Sequence, residues 1–273
     1  AATKPRLPPR MCVALSTDAI SRRRRMLSSS TAPENAIVFR HGAGMDHTVW
    51  SAQARHFASR GVAVLAPDFP GHGRSAGPPL PTVAALADWT IRALDALRVA
   101  NAVFAGHSMG ARVALEVAAR LGGRVRGLAL VGVAERMAVN PELRRAAEAG
   151  EDRAVDMILE WGFGERGAVG GNLAPGLWLK GHARRLLERS LRPALGTDLA
   201  ACDEERGAAD AAARVRCPAV VVWGAGDRMT PGASASRLAA RIAGAVTVEI
   251  PRCGHMSMVE EPAAVTAAIA RIA

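Results

Sequence analysis

Tyrosine is absent from this 273-residue sequence, and phenylalanine and tryptophan contribute only five residues each. Proteins that stack on nucleic-acid bases interleave aromatic side chains with basic ones. No such stripe exists here, so the net charge of +10 is not read as a nucleic-acid footprint. The charge is also unevenly spread: residues 1–35 hold seven basic and two acidic side chains, a net +5, and the remaining excess is scattered arginine. Cysteine is scarce. Cys12, Cys202, Cys217 and Cys253 show neither paired nor metal-like spacing, which fits free thiols in a reducing, cytoplasmic setting and implies no metal site. Long apolar runs are missing as well. None approaches the ~20 residues needed to cross a bilayer, so no membrane span is expected.

What is present is a chain that is 49% hydrophobic, enough for a sizeable core. Residues 1–35 are the least legible part. Arg22 to Arg25 and Ser28 to Ser30 read as a solvated segment. Its Arg- and Ser-rich composition is like that of a transit peptide, but a divergent gene start is the favoured reading. From residue 36, short apolar runs alternate with helical periodicity. Ala36–Phe39, Gly61–Ala66, Ala102–Ala105, Gly127–Val133, Pro218–Trp223 and Ala245–Ile250 read as strands. Residues 84–97 and 262–272 read as helices. This alternation implies an α/β architecture with a mostly parallel sheet and crossover helices. Residues 134–213 break the pattern and read as a helical cap between core segments 36–133 and 214–273.

The chain is organised around Gly106-His107-Ser108-Met109-Gly110, a G-x-S-x-G spacing between a strand and a helix. Small flanking residues let the backbone turn sharply and leave the serine exposed at the turn. A serine hydroxyl needs a base, and the base needs an acid that holds its tautomer. Of the seven histidines, His255 alone sits late, past a strand end and after a glycine. Asp227 lies 28 residues earlier, just past the preceding strand. Glu135 is the other position considered for the acid. The backbone N–H groups of Ala43, in the His41-Gly42-Ala43-Gly44 turn, and of Met109 are the expected oxyanion donors. His107 is excluded as the base because it points elsewhere on the turn. Asp68, His72 and Ser75 lie too close in sequence to stack as a second triad. His41, His107, Trp50, Trp161, Trp178 and Met256 are candidates for the pocket wall.

Together these motifs resemble those of the α/β-hydrolase superfamily over residues 36–273. The matching stretches are His41 to Gly44, Asp68 to Ser75, Gly106 to Gly110, Gly226-Asp227 and Gly254-His255. The resemblance implies an α/β-hydrolase fold with a helical cap. It assigns Ser108 as nucleophile, Asp227 as acid, His255 as base, and Ala43 and Met109 as oxyanion donors. It departs at residues 1–35, which read poorly as the family's opening β-hairpin, and at Arg40, where an apolar residue is usual. The expected activity is hydrolysis of a small-to-medium carboxylic ester through an acyl-enzyme, without cofactor, in a monomer or homodimer. Lactone, thioester and C–C bond hydrolysis are the alternatives in the same fold. A non-catalytic small-molecule receptor is the alternative outside catalysis.

Overall fold

Six strands of mostly Ala, Val, Ile and Leu form the frame: β1 (Ala36–Arg40), β2 (Ala63–Leu65), β3 (Ala102–His107), β4 (Val125–Val131), β5 (Ala219–Gly224) and β6 (Val246–Ile250). The computed structural model describes residues 36–172, 176–190 and 194–273; the expectations for residues 1–35 lie outside these. All described pairings are parallel, in the order β2-β1-β3-β4-β5-β6. A parallel sheet needs both faces covered, and side-chain alternation supplies two apolar faces. Val38, Phe104, Leu128, Leu130 and Val221 belong to one buried cluster. Ile37, Phe39, Val103, Ala129, Val131, Val220 and Val222 belong to the other.

Helices close each face. Helices α1 (Ser51–Ala58), α2 (Val83–Ala96) and α3 (Met109–Leu121) connect the first four strands. Thr82 caps α2, accepting from the Ala85 N–H at 3.0 Å. Between β4 and β5 the chain forms α4 (Pro141–Glu148), α5 (Asp152–Gly162), α6 (Leu179–Ser190), α7 (Gly196–Glu204) and α8 (Ala208–Ala213). Then come α9 (Gly232–Ala239), α10 (Ser257–Glu260) and α11 (Pro262–Ala270). Leu143 of α4, Val155 and Ile158 of α5 and Leu199 of α7 join the same cluster as Ile269 of α11. Ala208 and Ala211 of α8 join the opposite one.

The strand order places a topological switch at the centre. From β1 the chain moves to β2 on one side, then crosses to β3 on the other. Parallel sheets bind ligands in the crevice beyond the carboxyl ends of strands at such a switch. The turn from His41 follows β1, and Ser108 follows β3. No helix among the described residues is long and apolar enough to cross a membrane.

Candidate active site

Ser108 occupies the turn between β3 and α3 with φ 52° and ψ −119°, a region that non-glycine residues enter only under constraint. The constraint is visible. The Ser108 N–H donates to the Val131 carbonyl at 2.9 Å. A Cβ on Gly106 would run into the backbone of Gly110, and one on Gly110 into the carbonyls of Arg40 and His41. Both glycines are therefore required by close backbone approach. Met109 opens α3, so its N–H is among those a helix leaves without an intrahelical partner, at the positive end of the helix dipole.

Asp227 and His255 come from loops after β5 and β6 that the backbone stitches together. The Ala225 N–H donates to the Ile250 carbonyl and the Gly226 N–H to that of Cys253, each at 2.9 Å. Asp227 Oδ2 lies 2.9 Å from His255 Nδ1. Its Oδ1 accepts from the N–H groups of Met229 (2.9 Å) and Thr230 (2.7 Å). Thr230 Oγ1 donates to Asp227 Oδ2 at 2.6 Å and sits 3.1 Å from His255 Nδ1. Burial alone would raise the Asp227 pKa, but His255 and the Thr230 hydrogen bonds outweigh it and hold the carboxyl below its ordinary range. A carboxylate there makes Nδ1 the proton-bearing nitrogen of neutral His255 and leaves Nε2 bare.

Ser108 and His255 line one cavity of about 280 Å³. Its wall also holds Ala43, Met45, Leu143, Ile158, Trp161 and Met256, so it is mainly apolar. Trp161 and Met256 are thus on the wall, whereas the other four pocket candidates are not. Trp50 is fully buried against Phe39, with ring centroids 5.0 Å apart, and donates Nε1–H to the Arg40 carbonyl. Trp178 is 56% exposed to solvent. His41 is a buried strut: the Phe69 N–H donates to Nε2 at 3.0 Å, so Nδ1 carries the proton and donates to the Gly42 carbonyl. Burial, then His72, keeps its pKa far below the usual histidine value. His107 lies beneath His255, ring centroids 4.7 Å apart, and bonds the His255 carbonyl through Nε2 at 3.0 Å. Burial, reinforced by His255, pushes His107 down to about 3, so it stays neutral.

Glu135 stands apart from His255, paired with Arg241 and Arg237. Asp68 does not meet His72. It bonds His47 Nδ1 at 2.9 Å and the N–H groups of His47 and Arg74. Burial opposes its ionisation, but these bonds carry its pKa down to about 2. Asp46, His47 and Asp68 are, among the described residues, the group close enough to share a cation. Their ligand atoms are already engaged: Asp46 Oδ1 accepts from Thr48, and the Asp68 carboxylate takes His47 and Arg74. The cluster folds the loop.

Three contributors were not singled out in the sequence. Thr230 bridges Asp227 and His255, and its Asp-x-x-Thr spacing is an Asx-turn signal that was available. Glu260 accepts from the Gly254 N–H at 3.0 Å and the Gly164 N–H at 2.9 Å. Asp198, on α7, accepts from the Gly44 N–H at 2.8 Å; nothing in its neighbourhood in sequence marks it.

A doubly wound parallel sheet with a strained serine at its switch point, beside a buried Asp–His pair, defines an α/β hydrolase. The family model "Alpha/beta hydrolase family" matches residues 37–269, and the chain belongs to that family. It is 31% identical over 244 residues to a pimeloyl-[acyl-carrier protein] methyl ester esterase of Aromatoleum aromaticum, covering 83% of this chain and 93% of that protein. The Chromobacterium violaceum protein of the same name is 30% identical, covering 80% and 86%. Among solved structures, the enol-lactonase of Burkholderia xenovorans aligns with TM-score 0.81 over 96% of this chain and 95% of that one, at 24% identity.

Proposed function

We propose that the protein is a serine hydrolase that cleaves a small-to-medium carboxylic ester through an acyl-enzyme. The observation that carries this reading is the buried Asp227–His255 pair, 2.9 Å apart, opening into the same cavity as the strained Ser108. Asp227 holds the His255 tautomer, and Nε2 takes the Ser108 hydroxyl proton as Oγ attacks the ester carbonyl. The tetrahedral oxyanion is held by the N–H groups of Ala43 and Met109. Its collapse breaks the C–O bond, and His255 returns the proton to the departing alcohol. Water, deprotonated by His255, then attacks the acyl-serine and releases the acid and free Ser108. No step calls for a cofactor or a metal. The similarity to methyl ester esterases supports an ester over an amide. The helices between β4 and β5 act in this reading as a cap over the cavity.

Turnover of a chromogenic ester series, from short to long acyl chains, by wild type and Ser108→Ala tests it. Activity that disappears in the variant supports the reading, and the chain-length optimum sizes the pocket. Equal activity in both proteins sinks it. Parallel assays with lactones, thioesters and C–C substrates separate the substrate class from the mechanism.

A further inference from the structure

Ala43 has its flanking peptides fixed from both sides. On one side, the Gly42 carbonyl accepts from the Met45 N–H at 3.2 Å and from His41 Nδ1 at 2.9 Å. In a trans peptide the N–H points opposite the carbonyl, so these bonds set the direction of the Ala43 N–H. On the other side, the Gly44 N–H donates to Asp198 Oδ2 at 2.8 Å, and the Gly44 carbonyl accepts from Ser190 Oγ. Gly44 itself is at φ +64°, where a side chain would strain the turn and meet Leu195 and Leu187. Asp198 and Ser190 stand on α7 and α6, so the turn is held by the helices between β4 and β5.

Asp198 is not a lone anchor. Its Oδ2 also lies 2.7 Å from His72 Nε2, and both side chains are fully buried. His72 Nδ1 faces the Pro70 carbonyl at 3.0 Å. With an acceptor beside each ring nitrogen, the surroundings favour the doubly protonated ring. Burial opposes that charge, but the hydrogen bond and charge of Asp198 carry the His72 pKa above its ordinary value. The loop after β2 supplies the cation, α7 the anion, and the turn after β1 the N–H between them.

We infer that Asp198 is a positioning residue for the oxyanion turn: it anchors the Ala43–Gly44 peptide, the far side of Ala43, and so, together with the bonds to the Gly42 carbonyl, keeps the Ala43 N–H facing the substrate carbonyl, with His72 as its buried partner. This rests on the hydrolase reading above. An aligned oxyanion donor acts on the transition state rather than on the bound ester. Asp198→Ala is therefore expected to lower kcat by about 10²-fold with KM within about twofold. Affinity for a boronic-acid or trifluoromethyl-ketone analogue falls in parallel. Asp198→Asn keeps an oxygen for the Gly44 N–H and restores kcat to within about tenfold of wild type. If the alanine variant does not fold, Asp198→Ser, too short to reach Gly44, carries the same comparison.

A folded Ala or Ser variant with wild-type kcat and analogue affinity overturns the role, whatever its melting temperature. So does an Asn variant as impaired as Ala. Fluorophosphonate labelling separates the two readings. Wild type that labels at Ser108, with Asp198→Ala labelling as fast, overturns the Asp198 role and leaves the hydrolase standing. Wild type that does not label at Ser108 overturns both.

Discussion

Thr230 Oγ1 sits between the two members of the buried pair, 2.6 Å from Asp227 Oδ2 and 3.1 Å from His255 Nδ1. Its hydroxyl donates to the carboxylate and turns a lone pair towards the imidazole. Together with two backbone N–H groups, it leaves Asp227 strongly hydrogen-bonded in its ionised form, the condition for holding Nδ1–H on His255.

Asp227→Asn presents an amide where a carboxylate accepted, so His255 settles in the other tautomer. The expected loss in kcat is on the order of 10⁴-fold, with ester binding little changed. The variant also alters acid stability. The folded Asp227 pKa is depressed, so the wild-type pair contributes stability above the ordinary carboxylate range and loses it as pH falls through the folded value. Thermal melts from pH 7 down to pH 3 are expected to show an acid-side drop in wild type that is shallower in Asp227→Asn. Parallel curves would contradict the assignment.

Glu260 titrates in the opposite sense. Burial raises its pKa to about 7, although the Gly164 and Gly254 N–H groups and His255 pull it back. A folded pKa above the unfolded one makes the contribution complete below about pH 4.5 and lost as pH rises through about 7. The shift corresponds to about 3 kcal/mol between those limits. Wild-type stability in urea is therefore expected to decline from pH 5 to pH 8. Glu260→Gln turns an NH₂ towards one of two N–H donors and is expected to be less stable at pH 5, by about 1–3 kcal/mol, but without that decline, so the gap closes or reverses by pH 8. Because Gly254 precedes His255, activity falls with it.

The sheet was legible because buried parallel strands are nearly continuous apolar runs, and two of the boundary errors fall where a charged residue interrupts one. The reading began β4 at Gly127, but the strand starts at Val125 and includes the exposed Arg126. It ended β1 at Phe39, yet Arg40 is in the strand and fully buried. Ser108, Asp227 and His255 were singled out because each lies within two residues of a glycine, at or just past a strand end. Asp198 has no such marker: it lies 154 residues from Gly44, and only the fold brings them together. Tryptophan was ambiguous for a physical reason, since the same apolar surface suits the core at Trp50 and the cavity wall at Trp161.

Arg40 explains its own place in an apolar strand. Its guanidinium lies 3.7 Å from the Phe69 ring centroid and 5.3 Å from that of Trp89, and Nη1 donates to the Pro67 carbonyl at 3.0 Å. Nε and Nη2 find no acceptor among the described residues, and burial brings its pKa down to about 9. A half-satisfied buried cation gives little net stability compared with an apolar side chain of similar volume. Arg40→Met is expected to melt within a few degrees of wild type, or above it, while Arg40→Ala opens a cavity and costs about 2–5 kcal/mol. A methionine variant as unstable as the alanine one would show that the charge itself holds the strand.

Leu143 and Trp161 line the same cavity as Ser108, from α4 and α5. Both belong to helices between β4 and β5, so changing them alters the space for the acyl chain without touching the Asp227–His255 pair. Trp161→Ala enlarges the cavity and is expected to move the acyl-chain optimum of the ester series towards longer substrates. Leu143→Phe narrows it and is expected to move the optimum the other way. One methylene gained or lost in an apolar pocket is worth about 1–3 kcal/mol of discrimination, so the change appears in kcat/KM ratios between neighbouring chain lengths rather than in overall activity. If both variants keep the wild-type ratio across the series, the acyl chain does not occupy this cavity and must leave Ser108 in another direction.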